Sequence, residues 1–182
     1  MNWGKGMAGR KLIRIKQKKE GRVFQMRVAG LAFREGHLLV HRATHETFWT
    51  IPGGRAEIGE TSERTLVREM DEELGVTATV NRLLWSVENF FHYEGADFHE
   101  YGLYYLMEIP DSFPFHPSAI VHRNTDGKSE LEFRWVEATK SALMALDLPP
   151  YFLAEQIEDL PESPRHLVWH DGDLDIAAVG KT

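Results

Sequence analysis

The sequence predicts an α/β domain, a mixed β-sheet flanked by helices in layers. Three observations lead there. Runs rich in β-branched and aromatic residues, punctuated by Glu-Gly turns, lie on both sides of one helical pattern at residues 61–74. That pattern carries cap signals at both ends, so it is a single bounded helix. Two later helical stretches are available to cover the sheet face that the first helix leaves open.

Taken in order, residues 24–33 (FQMRVAGLAF) read as a strand, Arg34-Glu35-Gly36-His37 as its turn, and residues 38–42 (LLVHR) as the returning strand. A polar loop leads to Phe48-Trp49-Thr50-Ile51, and Pro52-Gly53-Gly54 breaks any regular element. In the helix over 61–74, Thr61 or Ser62 supplies the N-cap and Gly75 the terminating glycine. Residues 77–92 and 98–109 form two antiparallel strands joined around Gly95. Residues 110–127 are a proline-bearing loop, long enough to mark function or mobility. Residues 131–136 form another strand, residues 138–146 and 150–160 form helices, and residues 166–170 (HLVWH) can pair as an edge strand. The expected organisation is a basic arm over 1–22, one domain over 23–160 and a tail over 161–182 able to pack on it.

At 182 residues the chain can bury one sizeable core. It has no cysteine, which excludes disulfides, zinc-thiolate sites, thiol nucleophiles and iron–sulfur clusters, and suits a reducing cytoplasm. No apolar run is long enough for a membrane-spanning helix, and the basic N-terminus lacks the apolar stretch of a secretory signal. The net charge of -7 hides an asymmetry: Lys5, Arg10, Lys11, Arg14, Lys16, Lys18, Lys19 and Arg22 face only Glu20. Such an arm can touch RNA or substrate phosphates. The favoured reading is plainer, a solvated terminus with a short edge strand at residues 12–15.

The chemistry is concentrated in residues 54–76, GRAEIGETSERTLVREMDEELGV. Glu69, Glu72 and Glu73 stand at i, i+3 and i+4, so a helix projects their carboxylates from one narrow face. Three such charges repel by about 2–3 kcal/mol per pair at an effective dielectric near 20. A hard divalent cation with oxygen ligands relieves that strain, whereas a purely structural helix gains nothing from it. Gly53 and Gly54 let the backbone approach a metal or phosphate closely. Arg68, one turn before Glu72, can pair with Glu60 across the loop–helix junction.

Gly54, Glu60, Arg68, Glu69, Glu72, Glu73 and Gly75, with apolar Met70 and Val76, resemble the Nudix box G-x5-E-x7-R-E-U-x-E-E-x-G-U at every position. Chance gives such a match on the order of 10⁻⁸ per chain at average residue usage. The resemblance implies a Nudix-type α/β/α sandwich and a Mg²⁺- or Mn²⁺-dependent hydrolase. The substrate class is a nucleoside diphosphate linked to another moiety: a nucleoside triphosphate, a dinucleoside polyphosphate or a nucleotide sugar. It also implies that the Gly53 carbonyl, Glu69, Glu72 and Glu73 ligate metal, and that family members are often homodimers. Some members use a glutamate beyond the box as base, and Glu130, ahead of Glu100 and Glu132, is the candidate here.

Outside the box, Arg42 is a candidate phosphate contact, with a surface salt bridge as the equal alternative. Phe48, Trp49 and Tyr93 can wall a base pocket or pack in the core. Tyr93 falls 17 residues after Val76, near where diadenosine-polyphosphate hydrolases of the family carry a tyrosine. The proline linked to ADP-ribose specificity and the extended motif of the NADH-cleaving branch are both missing. An isomerase of the same architecture needs a cysteine, which this chain lacks. RNA decapping and a non-catalytic nucleotide-sensing module stay as alternatives; the second usually loses box carboxylates, and all are kept here.

Overall fold

The computed structural model describes residues 14–126 and 129–171 of the chain. Their elements run β1 (Lys16–Lys19), β2 (Arg22–Arg34), β3 (His37–Ala43), β4 (Gly53–Arg55), α1 (Ser62–Leu74), β5 (Thr79–Tyr93), β6 (Ala96–Glu108), β7 (Ile120–Asp126), β8 (Ser129–Glu137), α2 (Lys140–Ala145), α3 (Phe152–Gln156) and β9 (Arg165–Asp171). The strand order is β7-β8-β3-β2-β6-β5-β9, with β1 and β4 also paired to β2. The β2–β6 and β5–β9 pairs are parallel and the others antiparallel, so the sheet is mixed. Three Glu-Gly turns close hairpins: Glu20-Gly21, Glu35-Gly36 and Glu94-Gly95 all have positive φ, the backbone that matches the strands' right-handed twist.

Helices cover both faces. Side chains alternate along β2, so Val28 and Ala32 point into a core shared with Leu66, Met70 and Leu74 of α1. Ala29 and Leu31 point the other way, into a core closed by Leu143 of α2 and by Phe152 and Leu153 of α3. The expected α/β/α layering is therefore present. Gly30 sets how closely α1 lies on β2, because a Cβ there would sit 2.3 Å from the Met107 sulfur and 3.0 Å from Leu66 Cδ2. Thr61 caps α1, its hydroxyl accepting from Arg64 N, and Gly75 ends the helix at φ 66 with its N–H donating to Asp71 O. Thr65 of α1 is fully buried, whereas Val67 is only partly buried.

Several expectations need correction. The stretch after Gly53 is no break: β4 pairs antiparallel with β2 through Gly53, Gly54 and Arg55. The second half of the expected 110–127 loop is β7, which ladders onto β8. The helices are shorter than expected, at Lys140–Ala145 and Phe152–Gln156. The N-terminal strand lies at Lys16–Lys19 rather than 12–15, of which residues 12 and 13 fall outside the described residues. Part of the supposed arm thus belongs to the sheet, and Ile15 N donates to Ala56 O beside it. The expected edge strand over 166–170 is present as β9 alongside β5, and residues 172–182 lie outside the described residues.

Candidate active site

Arg68 is the centre of the site. Its Nε and Nη2 donate to the two oxygens of Glu60 at 3.1 and 3.2 Å, the fork geometry that suits a guanidinium to a carboxylate. Its Nη1 donates to Glu69 Oε1 at 2.7 Å and to Glu72 Oε2 at 3.1 Å. Nη2 also donates to the Arg55 carbonyl at 3.2 Å, tying the helix to β4. The expected Arg68–Glu60 pair is present, and Thr65 Oγ1 adds a donor to Glu60 at 2.8 Å. Gly54 completes the junction: a Cβ there would lie 2.1 Å from Glu69 Cδ, so the carboxylate fills the space a side chain would need. Gly53, at φ 145, would drive a Cβ to within 2.1 Å of the Val28 carbonyl.

Burial and charge act on these groups in opposite senses. For Glu69, burial pushes the carboxyl above its ordinary range, Arg68 pulls it back, and Glu72 adds to the rise. For Glu60, burial also pushes upward, but hydrogen bonds from Arg68 and Thr65 outweigh it and hold the group below its ordinary value. Arg68, despite burial, is held above the usual arginine value by Glu60 and Glu69. Glu73 is buried with its Oε2 3.7 Å from His41 Nδ1. His41 is neutral, because burial, assisted by the Arg27 charge, pushes its pKa down to about 3. At the end of α1, Asn124 Nδ2 donates to the carbonyls of Glu72 and Glu73, and His122 Nε2 to that of Glu73.

The NUDIX domain profile matches residues 23–154. The chain belongs to the NUDIX family. Among relatives, the YjhB protein of Bacillus subtilis (strain 168) is 32% identical over 85 residues, 46% of this chain and 41% of that protein. The 8-oxo-dGTP diphosphatase of Escherichia coli (strain K12) is 32% identical over 99 residues, 54% of this chain and 64% of that one. In both cases the match spans less than two thirds of the relative's own length. A crystal structure of a UDP-X diphosphatase superposes with a TM-score of 0.54 over 79% of this chain and 66% of that one, at 17% identity. At that identity the likeness shows the fold alone.

The donors of the NUDIX box suit a hard cation, since Glu69, Glu72, Glu73 and the Gly53 carbonyl offer only oxygen. The open place at Gly54, filled by the Glu69 carboxylate, fits that use. No ready-made cage stands there: among the described residues no three Asp, Glu or His groups converge closely enough to hold an ion. The guanidinium of Arg68 stands between Glu69 and Glu72, and Glu72, whose side chain is 58% exposed, is the carboxylate with room to turn from it.

Candidates outside the box are more dispersed. Arg42 donates to Glu132 at 3.2 Å and lies over the Trp49 ring, which Arg134 covers as well. Trp49 is therefore core, and Arg42 takes the salt-bridge alternative. Glu132 is bound by Arg123, which with Arg42 outweighs burial and holds it below its ordinary value, an unfavourable state for a base. Glu130 is exposed, on the opposite side of β8 from Leu131 and Phe133, which pack in the α1 core. Glu100 is buried and accepts from Gln25 Nε2 at 2.5 Å, while Gln25 Oε1 accepts from Arg55 Nε at 3.0 Å. That relay joins Glu100 to the residue after Gly54, and sequence reasoning missed it because it spans the parallel β2–β6 register, Gln25 opposite Glu100. Phe48 and Tyr93 do meet, edge to face at 6.0 Å, and the Tyr93 hydroxyl donates to Glu46.

Proposed function

We propose that this NUDIX protein is a divalent-metal-dependent hydrolase that cuts a phosphoanhydride bond in a nucleoside diphosphate joined to another group. The observation that carries this reading is the fit of Glu69 into the space above Gly54, beside Glu72 and Glu73 on one helix face. Loop and helix are matched to a single carboxylate, which an ordinary acidic surface does not require. Glu69, Glu72, Glu73 and the Gly53 carbonyl would hold Mg²⁺ or Mn²⁺, which when bound neutralises phosphate charge and acidifies water. Arg68 orients Glu69 through Oε1 and is itself fixed by Glu60. Glu69 is the candidate to accept the proton of the attacking water, a role worth a factor of about 10²–10⁴ in rate.

Phe48 and Tyr93 supply an aromatic wall for a nucleobase. Nucleoside triphosphates head the substrate panel, because a relative of this chain carries the name 8-oxo-dGTP diphosphatase. The test is product release from a panel of nucleoside triphosphates, dinucleoside polyphosphates, nucleotide sugars and capped RNA with Mg²⁺, repeated with Glu72→Gln and Glu73→Gln. Turnover by the wild type that either substitution cuts steeply supports the reading. Nucleotide binding without turnover makes the chain a sensing module and overturns it.

A further inference from the structure

We propose that Asn124, assisted by His122, is a positioning residue that fixes the metal-holding turn of α1; this rests on reading Glu72 and Glu73 as metal ligands. A helix leaves its last carbonyls without intrahelical partners. The N–H of Gly75 reaches back to Asp71 O and Met70 O, so the following carbonyls, Glu72 and Glu73, must be satisfied from elsewhere. Asn124 Nδ2 donates to Glu72 O at 2.6 Å and to Glu73 O at 2.9 Å, and His122 Nε2 donates to Glu73 O at 3.0 Å. Both donors come from β7, the strand that closes the excursion after β6.

The donors are themselves well anchored. Asn124 Oδ1 accepts from Thr125 N at 2.7 Å, which orients the amide, and its backbone pairs with Leu131 of β8. The His122 ring lies 5.6 Å from both Phe113 and Phe133, so its Nε2 is aimed by packing. The carboxylates of Glu72 and Glu73 hang from the Cα atoms whose carbonyls are pinned. Holding ligands to within about 0.5 Å is what a binding constellation needs, and a fraying last turn does not provide it.

The choice of donor also fits the task. Beyond the Gly75 cap, a lysine or arginine in the last turn is another way to satisfy terminal carbonyls, and α1 has none there. A cation at that place would offset the negative charge that draws a metal ion. A neutral amide satisfies the same carbonyls and leaves the field of the carboxylates intact.

The experiment measures Mn²⁺ binding to the substrate-free full chain by electron paramagnetic resonance, with thermal melts alongside. Asn124→Leu keeps the branched shape at slightly greater bulk and removes the donors while excluding water. It should raise the Mn²⁺ dissociation constant about tenfold or more, as loss of outer-shell support does elsewhere. Asn124→Ala admits water to the carbonyls and should show a smaller rise. Asn124→Gln, which keeps the donors on a longer stem, should recover part of the affinity. If Asn124→Leu lowers the melting temperature but binds Mn²⁺ as tightly as wild type, the residue is merely structural and the proposal fails. If Asn124→Leu does not fold, Asn124→Ala decides by the same comparison. Absence of Mn²⁺ binding by the wild type overturns the metal reading itself, and the positioning role falls with it.

Discussion

Placing a methyl group on residue 54 sets it against the Glu69 carboxylate. The three nearest atoms to that Cβ would be Glu69 Cδ at 2.1 Å, Oε1 at 2.2 Å and Oε2 at 2.4 Å. Ordinary contact between carbon atoms is about 3.5–4.0 Å, so the carboxylate must retreat by more than about 1 Å. Gly54 is not in a left-handed conformation, unlike Gly53, so Gly54→Ala adds this clash without backbone strain. Retreat breaks the 2.7 Å bond from Arg68. Overpacking of this kind costs about 1–3 kcal/mol, and misplacing a reacting group by about 1 Å can cost about 10²-fold in rate. The clash is with one side chain, so it should vanish when that side chain is shortened. In a Glu69→Ala background, Gly54→Ala should cost close to nothing, leaving a coupling of about 1–3 kcal/mol in the double-mutant cycle. Urea unfolding of the four proteins measures this, provided the slope of the transition is unchanged. An equal cost in both backgrounds would mean that the methyl group meets something other than Glu69. Near-normal turnover by Gly54→Ala would mean that the placement of Glu69 does not matter.

Hydrolysis should stop with EDTA and return with Mg²⁺ or Mn²⁺, measured on the best substrate of the panel; activity surviving full chelation refutes the mechanism. Glu72→Gln should stay within about 0.5 kcal/mol of wild-type stability without metal, since relief of like charges and loss of the Arg68 pair oppose each other. Arg68→Gln leaves the half-buried Glu60 and the buried Glu69 without their cation and should cost about 3–5 kcal/mol in thermal or urea melts. Glu132 has a depressed folded pKa, so its contribution is present above the ordinary value of 4.5 and is lost as pH falls through the depressed one. The stability gap between wild type and Glu132→Gln should therefore be widest near neutral pH and close in acid. Deleting residues 1–19 removes β1 and the Ile15–Ala56 bond, so the melting temperature should fall, and unchanged stability would show that β1 contributes nothing.

The elements legible in the sequence are those whose signals are local. Each Glu-Gly turn needs left-handed backbone at two adjacent positions, and glycine marks it. The ends of α1 are written in Thr61 and Gly75. By contrast β4 is Gly-Gly-Arg, a poor strand by composition, and exists because β2 offers it a ladder partner. Its glycine is what permits the pairing, since a Cβ on Gly53 would strike the Val28 carbonyl. The β7 sequence IVHRNTD follows Pro110, Pro114 and Pro117 and carries little apolar alternation. Only its partner β8 makes it a strand, and single-segment reading has no access to that partner.

The same division runs through the site. Glu69, Glu72 and Glu73 were readable because one helix sets their spacing, and Arg68 reaches Glu60 only eight positions away. Asn124 and Glu72 are 52 positions apart, and Gln25 and Glu100 75, so only the folded sheet brings them together. His41 shows what the fold adds beyond proximity. A histidine 3.7 Å from Glu73 invites the reading of an ion pair, yet burial and the Arg27 charge keep it neutral. It therefore cannot offset the carboxylates. Glu60, Glu69 and Glu72 gather around the guanidinium of Arg68, with Arg27 acting on Glu69 at longer range. Leaving that face negative costs stability, and a cationic residue in place of His41 would reduce the cost. The burial that keeps His41 neutral preserves a charge imbalance, and a divalent cation bound beside a phosphate is the partner that imbalance suits.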